Sequence, residues 1–134
     1  FAQTNRDLMV LDIIKNIAIV GAGSFIGGAA RYLVSLMMKG AGKGFPWATF
    51  VVNLVGCFMI GLLWGLFSRT ASEDNNWALF LSVGLCGGFT TFSTFSKEAL
   101  IMLQSGNIWA FAGYIALSVS TGVALVALGY YLCR

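Results

Sequence analysis

Residues 44–68 and 108–132 are two runs of 25 positions without a charged side chain, and residues 75–96 are also free of charge. A helix needs roughly 20 apolar residues, at 1.5 Å rise each, to cross the hydrocarbon of a bilayer. A fourth apolar segment precedes Lys39. Four spans leave almost none of the 134 residues for an extramembrane domain. A soluble domain carries about 25% charged residues, whereas this chain carries 10%. The fold expected is an all-α membrane protein: one four-helix transmembrane domain over residues 1–134. Its helices fall at about 12–38, 47–68, 77–103 and 108–132, after a short leader at 1–11. Any chemistry must then occur inside the bilayer or at its surface.

Composition removes several function classes. The net charge of +3 is small and the basic residues are scattered, so no nucleic-acid patch is expected. Histidine, the commonest general base and metal ligand, is absent. Cys57, Cys86 and Cys133 fall in different helices without metal-ligand spacing, and read as small buried apolar residues. The run Lys39-Gly-Ala-Gly-Lys-Gly-Phe-Pro46 is rich in glycine and lysine but lacks the Gly-Lys-Ser/Thr ending of a phosphate loop. It reads as a connection closed by the one proline. The first apolar segment is too long for a signal peptide and has no evident small-residue cleavage site, so none is expected.

Charge also bears on orientation. Four spans put both termini and the 69–76 loop on one side, with Arg6, Lys15, Arg69 and Arg134. The other side holds Lys39 and Lys43, joined by Arg31 and Lys97 if these reach the helix ends. A lysine and arginine excess normally marks the cytoplasmic face, and here the excess is slight. The chain either takes one orientation from weak cues or inserts both ways, allowing two copies to pair head to tail. Gly23 with Gly27, and Gly61 with Gly65, are small-residue pairs that let helices approach closely in lipid.

Several polar residues sit where lipid would penalise them. Asn53 lies mid-helix in Val51-Val-Asn-Leu-Val55. A buried amide without partners costs a few kcal/mol, so it faces another helix, an ion or water. Arg31 follows Lys15 by too few residues for a full span. It either snorkels to the interface or stands at an aqueous mouth, where a cation concentrates anions. The third segment reads Gly87-Gly-Phe-Thr-Thr-Phe-Ser-Thr-Phe-Ser96, a composition that gains nothing from facing lipid. Non-helical backbone at membrane depth is tolerated only where protein or water surrounds it. A helix broken near Gly87 and Gly88 is therefore expected, lining a narrow polar path.

If the chain is helical from Thr90 onward, Phe89, Phe92 and Phe95 form one stripe and the hydroxyls form neighbouring ones. Hydroxyls donate hydrogen bonds, and an aromatic edge is weakly positive. Together they can receive a small anion without binding it as tightly as a full charge would, and conduction requires that the ion leave. The stripe serves packing equally well. Carbonyls freed at the break are hard ligands that suit a sodium ion. In helix four, Tyr114 and Ser118 share a face one turn apart and extend the polar track, or bond back to their own helix.

Three blocks resemble the small bacterial fluoride channel family called Fluc, or CrcB: Gly27-Gly-Ala-Ala-Arg-Tyr32, Thr49-Phe-Val-Val-Asn-Leu-Val-Gly56, and above all Gly87 to Ser96 followed by Glu98. The likeness covers about residues 15–132. It implies a passive fluoride-selective channel of the inner (plasma) membrane that confers fluoride resistance, with no enzymatic chemistry. It implies an antiparallel, dual-topology homodimer embedded in lipid, with two pores, each built from both copies. A structural sodium would be held by backbone carbonyls matching Gly87 and Thr90. Phe92 and Phe95 match the aromatic lining. Asn53 and Tyr114 match pore-facing polar positions, Ser93, Thr94 and Ser96 fall in the polar track, and Arg31 matches the vestibule arginine. Gly122 stands where many members carry serine, and Ser118 or Thr121 would then supply that hydroxyl.

Three rivals make distinct demands. A proton-coupled antiporter needs a titratable group in the path, for which Glu98 is the one acid late in segment three. A four-helix small-molecule exporter generally needs an acid in its first span, and residues 13–38 contain none. An assembly factor would move no ion at all.

Overall fold

The computed structural model describes residues 1–42, 44–69 and 75–134. Lys43, and the 70–74 stretch with Glu73 and Asp74, lie outside the described residues. The described residues are helical with short connections and contain no strand. The first helix is Ala2–Met37, the second Trp47–Arg69 and the fourth Ile108–Cys133. The third span, Asn76–Gln104, comes in two pieces. All four spans are long and apolar enough to cross a membrane.

The first helix begins ten residues before the expected Asp12. No glycine or proline precedes Gly21, and polar side chains alone do not end a helix, so the leader winds into it. The boundaries of helices two and four match the charge-free runs. Asn107 caps the fourth helix, its side-chain oxygen accepting from the Ala110 N–H at 3.1 Å. Gly106, at φ 86°, makes the preceding turn, as the run Gln104-Ser-Gly-Asn107 suggests.

Two glycine seams set the packing, as the small-residue pairs foretell. The second helix packs mainly on the fourth, and the first packs on the leading piece of the third span. A Cβ on Gly129 would stand 2.7 Å from the Leu62 nitrogen, and one on Gly61 would stand 2.9 Å from Val126 Cα. On the other seam, a Cβ on Gly23 would stand 2.9 Å from Gly84 Cα, and one on Gly88 would stand 2.8 Å from Ser24 Cα. These are backbone-to-backbone approaches that only glycine permits.

The leading piece of the third span is wound unusually. Leu79–Cys86 adopts the wide π form, and Gly87–Phe89 returns to α. The trailing piece, Ser93–Gln104, packs on the fourth helix. Its core is Ala99, Met102 and Tyr114, ringed by Phe45, Phe50 and Phe95 among others. The accessible surface is 8819 Å², above the roughly 6,800 Å² expected of a soluble monomer of this mass. Much of the excess is apolar, as with Phe25, Trp109 and Leu132. The chain buries its apolar side chains incompletely and relies on lipid, or on another chain, to cover them.

Candidate functional site

The third span is interrupted at residues 90–92, just past the glycines that announce it. Gly87 and Gly88 themselves are helical. Thr90 leaves the helix at φ −86° and ψ 161°. Asn53, from the second helix, meets the freed backbone: its Nδ2 donates to the Thr91 carbonyl at 3.0 Å, and the Thr91 N–H donates to its Oδ1 at 2.8 Å. Thr91 then caps the trailing piece, its Oγ1 accepting from the Thr94 N–H at 3.2 Å. Thr90 bonds back, its Oγ1 donating to the Cys86 carbonyl at 3.0 Å.

These bonds redistribute the carbonyls. In an unbroken helix the Gly87 carbonyl would accept from the Thr91 N–H, and the Thr90 carbonyl from the Thr94 N–H. Both donors are taken by side chains instead. The Gly88 carbonyl accepts from Arg31 Nε at 3.4 Å. The two carbonyls that sequence reasoning nominates for a cation are thus those whose helical amides have been drawn away. The chemistry of the donor set suits sodium, since unwound carbonyls are hard neutral oxygens.

An open cavity of about 390 Å³ borders the break, lined by Asn53, Gly87, Thr90, Phe92, Phe95 and Ser118 among others. Ser118 Oγ is buried and has no hydrogen-bond partner among the described residues. An unpaired buried hydroxyl costs about 1–3 kcal/mol, and this one belongs to a residue of the cavity wall. Replacing Ser118 with alanine is expected to leave the melting temperature unchanged or raise it, while lowering ion throughput. Thermal unfolding and flux, measured on one preparation, check this.

A row of aromatic rings leads away from the break. Phe92 is 80% exposed. Its centroid lies 6.0 Å from that of Phe95, which lies 4.8 Å from Tyr114. Tyr114 is 1% exposed, and its hydroxyl donates to Glu98 Oε1 at 3.2 Å. Phe45, from the connection after the first helix, stands edge-on to Tyr114 at 5.3 Å.

The structure brings Asn53, Phe92, Phe95, Ser118, Gly87 and Thr90 to one cavity. Ser93 and Ser96 lie instead on the exposed face of the trailing piece, beside Phe92, and Thr94 is half-buried. Tyr114 is sealed behind Phe95 and Phe45, and Arg31 sits against the backbone at Gly88. The continuous phenylalanine stripe is corrected. Phe89 ends the leading piece and Phe92 precedes the trailing helix, so the break separates them. The sequence marks Thr91 only as a hydroxyl three residues before Thr94, yet its backbone and side chain organise the break. Its signal was the Thr90-Thr91 pair, residues that compete with helical bonding. Gly122 is buried, and a Cβ there would lie 3.2 Å from Cys57 Sγ. Cys57 occupies the room a serine would need, and Ser118 is the hydroxyl of this helix at the cavity.

The sequence has close counterparts. A profile of the family described as CrcB-like protein, Camphor Resistance (CrcB), matches residues 18–130. A Desulfotalea psychrophila protein named fluoride-specific ion channel FluC is 41% identical over 122 residues, covering 91% of this chain and 94% of its own. Proteins of the same name from Azobacteroides pseudotrichonymphae, 44% identical over 121 residues, and Chlorobaculum tepidum, 42% over 122 residues, are matched over 90% and 91% of this chain and 97% of theirs.

Proposed function

The chain belongs to the CrcB family of multi-pass cell-membrane proteins, and from that premise we propose that it is a passive fluoride-selective channel working as an antiparallel homodimer. The observation that carries this reading is the interrupted third span, held open by Asn53 and bordering a cavity edged by hydroxyls and phenylalanines. Such a surface offers a dehydrated anion neutral donors and ring edges in place of its water shell. It supplies no full positive charge to trap the ion. Arg31, beside the break, raises the local anion concentration. Phe92, Phe95, Asn53 and Ser118 line the path, Ser93, Thr94 and Ser96 continue it, and Tyr114 supports Phe95 from behind.

One copy leaves this path open. Phe92, Ser93 and Ser96 lie together on an exposed face, at the depth of a break that lipid tolerates poorly. A second copy in the opposite orientation covers that face and closes two equivalent pores. Sodium, if bound, would serve as a structural ion at the break. The Gly87 and Thr90 carbonyls would hold it, a role for which the loss of their helical amides fits them. Fluoride then leaves down its electrochemical gradient, with about 2.3 kcal/mol of drive per charge per 100 mV.

Purified protein in liposomes loaded with fluoride provides the test. Efflux is expected with the proton gradient collapsed by an uncoupler. Efflux that stops when that gradient is removed would assign the chain to proton-coupled exchange through Glu98.

A further inference from the structure

The backbone accounting at the break points to a role for Asn53 distinct from that of a pore donor. We propose that Asn53 is a positioning residue: its carboxamide substitutes for the peptide group missing from the third span and thereby fixes where the trailing piece begins. This deepens the channel reading and rests on it for its consequence in transport, though the geometric claim stands separately.

Three observations carry it. First, the bonding is reciprocal. One carboxamide takes both the N–H and the C=O of Thr91, at 2.8 and 3.0 Å, as a neighbouring strand would. A side chain that only lined a path would have no need to pair with both. Second, the pairing removes the next amide that would continue the ladder. With the Thr91 N–H held by Oδ1, the Gly87 carbonyl has no helical donor, and the leading helix stops. Third, the effect is relayed. The residue Asn53 holds is the residue whose Oγ1 caps the trailing piece at Thr94, and Phe92 lies between them in the chain.

If the carboxamide is lost, the Thr91 N–H turns back to Gly87. The leading helix then gains residues, and each residue added turns the chain by about 100°. Phe92 leaves its place at the cavity. Asparagine suits the position because its carboxamide has the shape of a peptide group and carries a donor and an acceptor side by side. Aspartate keeps the acceptor and loses the donor. Leucine, of similar size, loses both.

The test compares wild type, Asn53→Asp and Asn53→Leu, each full-length in detergent micelles. Backbone NMR shifts of residues 89–94 are read together with fluoride efflux from liposomes. In wild type, Thr90, at φ −86° and ψ 161°, carries an extended Cα shift. In Asn53→Leu that shift becomes helical, and efflux falls by about tenfold or more, the scale of one or two lost hydrogen bonds. In Asn53→Asp the Thr91 amide nitrogen keeps its shift while its carbonyl carbon moves. This second variant decides the matter if Asn53→Leu does not fold. An extended Thr90 shift in Asn53→Leu, or an unmoved Thr91 carbonyl in Asn53→Asp, would overturn the proposal and leave Asn53 a simple lining residue. A wild type that moves no fluoride but shows the expected shifts would sink the channel reading and leave the positioning role intact.

Discussion

Phe92→Ile and Phe95→Ile are each expected to lower fluoride flux by about 5- to 150-fold, with the protein still folded and assembled. The figure follows from losing a weak donor in a water-poor site, about 1–3 kcal/mol, converted to rate. Isoleucine keeps the apolar bulk and removes the positively polarised ring edge. Phe92 should show the purer effect. It is 80% exposed in the single chain, and the ring it meets is that of Phe95. Phe95 also meets Tyr114 at 4.8 Å, so its loss disturbs the core cluster as well. Flux, with size-exclusion profiles for assembly, is the measurement. Wild-type throughput in both variants would reduce the phenylalanines to packing.

The second large effect is on the fold. Gly129→Ala is expected to destabilise the protein severely, whereas Gly21→Ala is expected to be neutral or mildly favourable. A Cβ at Gly129 meets the Phe58 carbonyl oxygen at 2.5 Å, the Leu62 nitrogen at 2.7 Å and the Gly61 carbonyl carbon at 3.0 Å. All three are backbone atoms and none can swing aside. Helices two and four must separate along their whole seam, and overpacking of this kind costs about 1–3 kcal/mol or more. A Cβ at Gly21 meets nothing within 4 Å, and alanine is about 1 kcal/mol better in a helix interior. Thermal unfolding in detergent distinguishes the two. Equal melting temperatures would mean that the close seam is not what holds these helices together.

Much of this architecture is written locally. A run without charges as long as 44–68 has few alternatives to a span, and Asn107 and Gly106 mark the turn before the fourth helix. The interruption of the third span was foreseeable from a Gly-Gly followed by hydroxyls, but its position was not. Gly88 is needed where it is because Ser24 of the first helix lies against it. The interruption itself is set by Asn53, 38 residues from Thr91. No local pattern reveals that a side chain so far away will win an amide from the helix. The same long-range competition explains why the phenylalanine stripe is divided and why the part of Thr91 in the break has no local signature. The early start of the first helix has a plainer cause, since nothing in residues 1–11 breaks a helix.

Selection of fluoride by a path of neutral donors beside the break is the central property expected of this protein. A bilayer holding the purified protein, with fluoride on one side and chloride on the other, tests this most directly. The current should reverse at an extreme voltage, of the sign that fluoride permeation alone produces. A reversal near zero, or one following chloride, would contradict it.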